Sequence, residues 1–293
     1  MPNPIDINLT VVPEPLPDPR IIDGKLIAEQ VKEEVKTMIA SANLHPNLAV
    51  ILVGDDPASK LYIKMKESAC LQVGITLHKY FMPANIPTSE LEATIDFLNQ
   101  DEEIDAILVQ LPLPPGFDTD ALISRIDPAK DVDGFHPANI QALRDGQPRL
   151  IPGLVLAVLK LLEATKEDLI DKQALIIANS PVFTVPMETM LQPLCNQVTL
   201  TDPEAGDRER LCQEADIIIT AVGQANFITA DLVKPDAIII DIGITKNETG
   251  QTCGDVDFSS VLDKVSHITP VPGGVGPMTV AMLLFNTVIL AQE

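Results

Sequence analysis

A tyrosine and a lysine one helical turn apart are the first residues whose types and spacing suit chemistry. Tyr62 and Lys66 fall in a stretch with helical periodicity, so both side chains project from one face and can reach the same ligand. A lysine near apolar walls has its pKa lowered towards neutrality, which suits proton transfer. An isolated pair of this kind is more often a solvated lysine beside a half-buried tyrosine. A ligand site here is therefore predicted only if other residues also indicate one.

Two more candidate polar groups follow apolar runs. Gln110 ends a strand-like run at 106–109, where a parallel sheet opens to ligands, although an ordinary polar strand terminus fits equally well. Asp131 and Asp133 precede Gly134 with a spacing that in a loop could bind a metal ion or cap a turn. Because no further carboxylates continue a calcium-binding pattern, we predict no metal site.

A loop rich in glycine and proline is the most unusual segment of the chain. Residues 269–279 read Thr-Pro-Val-Pro-Gly-Gly-Val-Gly-Pro-Met-Thr. Three glycines and three prolines give a rigid loop whose backbone can closely approach a flat ligand. The alternative is the N-terminal turn of a helix, since Pro277 suits a first helical position and an apolar run follows it.

Alternating helical and strand-like segments predict an α/β protein that positions these groups. A first series ends at a turn near 145–148, and the second series resembles a nucleotide-binding sheet. We predict helices at 25–42, 58–73, 89–100, 154–164 and 277–292, and strands at 48–53, 75–81, 106–110, 173–177, 197–200, 217–220 and 237–241.

Composition excludes several classes of protein. The net charge of −22 argues against binding to nucleic acid or to anionic membranes, and the apolar stretches 154–162 and 280–290 are too short to span a bilayer. The four cysteines have no paired spacing, which favours reduced, buried thiols. Residues 1–20 lack the basic start and apolar run of a signal peptide, so we expect a poorly ordered Pro-rich tail on a cytoplasmic protein.

Four motifs together resemble one enzyme family. They are Gly54-x-x-x-Ala58-Ser59-x-x-Tyr62-x-x-x-Lys66, Val109-Gln110-Leu111-Pro112-Leu113-Pro114, Lys130-Asp131-Val132-Asp133-Gly134-Phe135 and the 269–279 loop. In order and rough separation they are similar to the motifs of bifunctional methylenetetrahydrofolate dehydrogenase/cyclohydrolase, over about residues 22–290. The resemblance implies an enzyme that oxidises methylenetetrahydrofolate to methenyltetrahydrofolate and hydrolyses that product to formyltetrahydrofolate.

The resemblance also implies an architecture. An N-terminal α/β folate-binding catalytic domain would span 21–150 and 275–293, because the C-terminal helix packs back on it. A Rossmann-like nucleotide-binding domain would span 151–274. A cytoplasmic homodimer that binds tetrahydrofolate derivatives, and neither nucleic acid nor a membrane, would follow.

Site roles come from the same resemblance. It makes Lys66 the proton-transfer group, Tyr62 the residue that stacks on and positions the pterin, and Gln110 a hydrogen-bond partner of the lysine. It sets Asp133 against the amino-pyrimidine edge of the pterin, where a carboxylate accepts two hydrogen bonds. The implied substrate-binding residues are Ser59, Pro272, Gly273, Gly276 and Thr279, and the cofactor-binding residues are Ser180, Pro186, Asp202, Ala221, Val222 and Gly223.

The nucleotide side departs from the family pattern. Where the family usually has GRSxxVGxP, this chain reads Ala178-Asn179-Ser180-Pro181-Val182-Phe183-Thr184-Val185-Pro186, so both glycines and the arginine expected at a ribose phosphate are replaced. Glycine lets the backbone approach a pyrophosphate, and Pro181 removes an N–H donor. A second departure is Pro152-Gly153-Leu154-Val155, where the family usually reads PCTP beside the nicotinamide.

Asp202 bears on the choice of nucleotide. It follows the next predicted strand, where an acid favours the free ribose hydroxyls of NAD over the phosphate of NADP, although a turn aspartate before Pro203 fits slightly better. We predict weak NADP binding, with NAD the better candidate, and these departures put binding of either nucleotide in doubt. Two alternatives to the bifunctional enzyme follow: a cyclohydrolase with a degenerate nucleotide site, and a non-catalytic folate-binding protein.

Overall fold

The computed structural model describes residues 18–292, which form two compact units. The first unit contains Glu29–Gly153 and residues 280–292, and the second contains residues 18–28 and Leu154–Thr279. Most of the predicted Pro-rich tail, up to residue 17, lies outside the described residues.

The first unit is a three-stranded parallel sheet covered by helices. Its strands lie in the order β2-β1-β3, and the central strand is buried along almost its whole length. The elements up to residue 144 are α1 (Gly24–Ala42, whose first turn belongs to the second unit), β1 (Asn47–Val53), α2 (Pro57–Val73), β2 (Thr76–Met82), α3 (Thr88–Gln100), β3 (Ala106–Val109), α4 (Thr119–Ile123) and α5 (Pro137–Arg144).

Local sequence sets both ends of α2, the helix that carries Tyr62 and Lys66. The Asp56 carboxylate accepts the N–H of Ser59 at 2.7 Å, and Pro57 follows it at the first helical position. The helix ends at Gly74, which has a φ of 93° and donates its N–H to the carbonyl of Cys70. These caps define where α2 begins and ends.

The second unit is a five-stranded parallel sheet in the order β10-β7-β6-β4-β5, with a small antiparallel hairpin of β8 and β9. Its interior strands are rich in isoleucine and buried, as expected for a sheet covered on both faces. The remaining elements are α6 (Gly153–Ala164), β4 (Gln173–Ala178), α7 (Pro181–Leu191), β5 (Gln197–Thr201), α8 (Arg208–Glu214), β6 (Ile217–Ala221), a 3₁₀ turn (Ala230–Leu232), β7 (Ile238–Asp241), β8 (Thr245–Lys246), β9 (Thr252–Cys253), α9 (Phe258–Val261), β10 (His267–Ile268) and α10 (Val275–Leu290).

Strand order locates a ligand crevice in this second sheet. The chain runs from β4 to the edge strand β5 and then crosses back to β6 on the other side of β4. Such a reversal leaves a crevice outside the carboxyl ends of the two strands, where open α/β sheets bind ligands. The last paired residues, Ala178 and Ala221, therefore mark the edge of the crevice.

The C-terminal helix joins the first unit from residue 280 onwards. The buried Asn286 amide on α10 donates to the carbonyl of Val132 at 3.1 Å and to that of Ile151 at 3.0 Å. The predicted α/β architecture, with the last helix packed on the first unit, is confirmed. Among residues 18–292 no helix is both long and apolar enough to cross a bilayer.

Candidate active site

Lys66 and Gln110 meet at the carboxyl end of the first sheet. The Lys66 ammonium donates to the Gln110 side-chain oxygen at 2.9 Å, and both side chains are half-buried. Gln110 directly follows β3, and its N–H donates to the carbonyl of Ile51 on the neighbouring strand. Its side-chain amide donates to the Leu111 carbonyl at 2.7 Å. Both groups of the Gln110 amide are thus engaged, and its oxygen is held towards the lysine.

Burial lowers the pKa of Lys66. Desolvation penalises its charged form, while the negative charge of Asp133 opposes the shift. The same desolvation raises the pKa of Asp133 to about 6, and the charge of Lys66 limits that rise. Asp133 borders a small pocket with apolar walls, formed with Ile107, Val109, Leu111, Ile123, Ile126, Asp131 and Phe135. An amine with a lowered pKa and a carboxylate that is still charged at neutral pH are what a proton-transfer site needs.

Asp131 shapes the loop that carries Asp133. Its buried carboxylate accepts the N–H of His136 at 2.7 Å, the N–H of Gly134 at 3.2 Å and the amide of Asn139 at 3.0 Å. Gly134 has a φ of 75°, and a Cβ there would lie 2.6 Å from the Leu150 side chain, so glycine is required. Within residues 18–292 no cluster of three or more histidine, cysteine or acidic side chains could hold a metal ion. In this structure the Asp131 carboxylate stabilises the loop through these three hydrogen bonds.

Tyr62 and Ser59 occupy the same helix as Lys66. Tyr62 is half-buried one turn before the lysine, as its spacing predicted. Ser59 is 3% exposed in the first turn of α2. Ser59 is therefore packed into the unit, while Tyr62 and Lys66 keep part of their surface accessible.

The Pro/Gly loop forms a tightly packed turn in the second unit and the start of α10. A Cβ on Gly24 would lie 1.9 Å from the Gly274 carbonyl oxygen, so the first turn of α1 packs directly on this loop. Gly273 has a φ of 116°, which favours glycine. Pro272 is exposed, Gly276 is half-buried, and Thr279 bonds the Gly276 carbonyl at 2.7 Å. Helix α10 begins at Val275, so the segment does start a helix, but Pro277 is its third residue and not its first. The approach of the loop to a flat ligand stays a prediction.

At the nucleotide crevice, α7 begins directly after β4. Ser180 occupies the N-cap position, is exposed and makes no capping bond through its side chain. Its carbonyl accepts the N–H groups of Phe183 and Thr184 at 3.1 and 3.0 Å. Asn179 and Pro181 are also exposed, whereas Pro186 is buried inside the helix. The crevice thus has a helix N-terminus with an exposed hydroxyl, an arrangement that suits an anionic group.

The loop after β6 is held by an aspartate that the sequence did not single out as a site residue. Asp255 is fully buried, and its carboxylate accepts the N–H groups of Val222, Gly223 and Gln224 at 2.7, 2.8 and 2.9 Å. The Thr220 hydroxyl donates to it at 2.9 Å. Its segment, Gly254-Asp255-Val256-Asp257, resembles a segment of the family, but the sequence assigned no role or partner to this aspartate.

Asp202 lies at the end of β5. Its carboxylate accepts the N–H of Glu204 at 2.8 Å. This is the geometry of a turn aspartate, which was the alternative to a ribose-binding role in the sequence analysis. Asp202 is exposed, and its second carboxylate oxygen takes no part in that bond.

Fold and site together define a two-domain α/β enzyme with a nucleotide-binding second half. The family model for the tetrahydrofolate dehydrogenase/cyclohydrolase catalytic domain matches residues 22–133, and that for the NAD(P)-binding domain of the same family matches residues 152–293. The chain therefore belongs to the tetrahydrofolate dehydrogenase/cyclohydrolase family.

Individual relatives match this chain over nearly its whole length. The bifunctional protein FolD of Methanosphaerula palustris is 46% identical over 267 residues, which cover 91% of this chain and 95% of that protein. The solved structure of bifunctional FolD from Campylobacter jejuni is 44% identical with a TM-score of 0.89, covering 93% of this chain and 98% of that one. The Trypanosoma brucei FolD structure, complexed with NADP cofactor and an inhibitor, is 31% identical with a TM-score of 0.88, covering 96% and 98%.

The predicted activity is confirmed. The protein is a bifunctional enzyme of folate one-carbon metabolism, an NAD(P)-dependent methylenetetrahydrofolate dehydrogenase and a methenyltetrahydrofolate cyclohydrolase. Its second half is an NAD(P)-binding domain, so the doubt that the altered loop cast on nucleotide binding in general was excessive. Neither a cyclohydrolase without a nucleotide site nor a non-catalytic folate-binding protein is favoured.

Proposed function

We propose that Lys66, Gln110, Asp133 and Tyr62 carry the folate chemistry of both activities. The observation that supports this most strongly is the 2.9 Å hydrogen bond between Lys66 and Gln110 at the carboxyl end of the sheet. It joins the half-buried lysine of α2, whose pKa is lowered, to an amide that has no acidic or basic function of its own. The lysine can therefore gain and lose a proton without losing its orientation.

Hydrolysis then needs only this chain and water. The neutral Lys66 amine accepts a proton as water adds to the methenyl carbon. The resulting ammonium returns a proton to N5 of the folate as the carbon–N5 bond breaks, and the hydroxyl proton leaves to solvent as the formyl group forms. Gln110 keeps the amine directed at the reacting carbon during both transfers.

Asp133 and Tyr62 hold the pterin for this chemistry. With a pKa of about 6, Asp133 is ionised at neutral pH and can accept two hydrogen bonds from the amino-pyrimidine edge. Tyr62 lies one turn from Lys66 on α2, so a ring stacked on it comes within reach of the lysine. In the same proposal, Ser59, Pro272, Gly273, Gly276 and Thr279 line the folate.

The nucleotide residues fit an NAD-type ligand. NAD(P), when bound, accepts the hydride of the methylene carbon. The amino end of α7 and the exposed Ser180 hydroxyl would hold its phosphates, while Ala221, Val222 and Gly223 would line the crevice with Pro186 packed behind. Asn179 offers no cation for a ribose phosphate, and Asp202 suits free ribose hydroxyls, so we propose that NAD binds better than NADP.

Separate assays of the two activities test this proposal. Hydrolysis of methenyltetrahydrofolate is followed without nucleotide, and oxidation of methylenetetrahydrofolate is followed with NAD and with NADP in turn. We expect hydrolysis in all conditions and faster oxidation with NAD at equal concentration. A protein that oxidises its substrate better with NADP would contradict the assigned nucleotide preference.

The assembly and location remain part of the proposal. We propose a cytoplasmic homodimer that binds tetrahydrofolate derivatives and neither nucleic acid nor membranes. Light scattering of the purified chain tests the dimer, since a monomer at micromolar concentration would contradict it. Cell fractionation with antibody detection tests the location.

A further inference from the structure

The loop after β6 encloses a carboxylate with three successive backbone donors. The N–H groups of Val222, Gly223 and Gln224 all point at Asp255, and Gly223 has a φ of 77°. Successive N–H groups around a left-handed residue form a nest that binds anions. In nucleotide-binding loops such a nest can hold a phosphate, but here the protein's own carboxylate fills it. These donors are therefore turned inward, away from any ligand in the crevice.

The same residue also anchors the far end of this loop. The Asp255 carbonyl accepts the N–H of Ile228 at 3.0 Å, and Asp257 donates its N–H to the Ile228 carbonyl at 2.9 Å. The Asp255 side chain thus holds the start of segment 222–228, and the Asp255 backbone holds its end. Between these points Gly223 and Gln224 are exposed.

A second buried carboxylate holds Asp255 itself. Asp241, at the end of β7, accepts the N–H groups of Gly243, Asp255 and Val256 at 2.9, 3.0 and 2.9 Å. A Cβ on Gly243 would lie 2.2 Å from the Asp255 carboxylate, and one on Gly254 would lie 2.0 Å from that of Asp241. Glycine is therefore required at both positions, because the backbone passes this close to the two carboxylates.

We infer that Asp255 is a positioning residue for the dehydrogenase reaction. By filling the nest, it holds Val222 and Gly223 as a rigid wall of the crevice at the carboxyl ends of β4 and β6. The inference rests on the proposed nucleotide site, which includes Ala221, Val222 and Gly223. It predicts that losing the carboxylate loosens this wall, weakens NAD and NADP binding, and leaves hydrolysis intact, because hydrolysis needs no nucleotide.

The test compares Asp255→Asn with Asp257→Asn. Asp257 undergoes the same chemical change two residues away, but its side chain caps α9 by accepting the N–H of Ser260. NAD and NADP affinities are measured by calorimetry, and hydrolysis is assayed on the same samples. For Asp255→Asn we expect a nucleotide Kd raised about tenfold or more, with kcat and KM of hydrolysis unchanged, because several charge-assisted bonds are lost together. Asp257→Asn should leave both unchanged.

A milder variant covers the case in which Asp255→Asn does not fold. Thr220→Val keeps the buried shape and removes only the hydroxyl that donates to Asp255. It should raise the nucleotide Kd by about threefold to tenfold without affecting hydrolysis. Unchanged nucleotide affinity in the folded variants, or hydrolysis that falls in parallel with affinity, would overturn the inference. If the unaltered protein bound neither nucleotide, both the proposed nucleotide site and this inference would fail.

Discussion

Lys66 on α2 and Gln110 after β3, 44 residues apart in sequence, are joined by a hydrogen bond of 2.9 Å. The bond links the amine to the end of a parallel strand, where sheets of this kind bind ligands. This bond uses one hydrogen of the Lys66 amine. The charged form keeps its other hydrogens, and the neutral form keeps its lone pair, for a substrate. The pH dependence of catalysis should therefore report the state of this pair.

The rate of hydrolysis should rise with pH through the lowered pKa of Lys66, because only the neutral amine accepts a proton. Gln110→Glu would set a negative charge beside the amine and favour its charged form. We expect its pH profile to move to higher pH by about one unit or more. Gln147→Glu, the same change at an exposed position, is the control. Coincident profiles for Gln110→Glu and the unaltered enzyme would rule out the pairing as a determinant of proton transfer.

Asp133→Ala should weaken folate binding by about tenfold to a hundredfold, since it deletes a charged acceptor worth about 1.5–3 kcal/mol. In the unaltered enzyme, folate affinity should fall as the pH drops through about 6, because the protonated carboxyl no longer accepts two hydrogen bonds. Calorimetry at several pH values measures both effects, with the exposed Asp120→Ala as control. Equal folate affinity in Asp133→Ala and the unaltered protein would remove Asp133 from the pterin site.

Asn179→Arg should strengthen NADP binding and leave NAD binding nearly unchanged, because it adds a cation at the exposed start of α7. One charge-assisted contact contributes about 1.5–3 kcal/mol, or about ten- to a hundredfold in affinity. The exposed Asn196→Arg adds the same charge elsewhere and controls for non-specific attraction. Tight NADP binding by the unaltered protein would show that the altered loop accommodates the ribose phosphate by other means.

Gly24→Ala should destabilise the second unit. An added Cβ would meet the Gly274 carbonyl oxygen at 1.9 Å, so the first turn of α1 must shift. Overpacking of this kind costs about 1–3 kcal/mol, which urea unfolding can resolve. Gly206→Ala, with nothing within 4 Å of the added Cβ, should have a much smaller effect. Equal unfolding free energies for the two variants would refute this close approach as a source of stability.

Periodicity predicted the long helices and the buried strands well. Helices α1, α2, α3 and α6 and the seven predicted strands all begin and end within two residues of the predicted bounds. These segments have strong apolar patterns, and α2 also has clear signals at both ends, Pro57 and Gly74. Their local preferences and their tertiary burial agree, which is why the sequence alone identifies them.

The start of the nucleotide site was harder to predict. Helix α7 contains Pro181 and Pro186 and several β-branched residues, which argue against a helix. Pro181 is tolerated at the first helical position, and burial of Phe183 and Met187 stabilises the rest. Strand β10 has only two residues and gives no periodic signal. In these segments tertiary packing outweighs local propensity.

Site geometry was predictable only in part. The helical spacing brought Tyr62 and Lys66 together, but the approach of Gln110 to Lys66 came from resemblance to a family and not from any local pattern. The contact of Asp255 with the loop at 222–224 joins segments about 30 residues apart, and a lone aspartate gives no signal of a buried partner. Long-range polar contacts of this kind depend on the fold as a whole.

The most direct measurement for the account as a whole is the hydrolysis of methenyltetrahydrofolate by Lys66→Met, compared with Lys64→Met. Lys64 is an exposed lysine on the same helix, so the control loses the same charge away from the site. We expect Lys66→Met to lose about a hundredfold or more in hydrolysis, the range of general acid–base catalysis, while folate still binds and Lys64→Met stays active. Near-normal hydrolysis by folded Lys66→Met would contradict the assignment of proton transfer to Lys66.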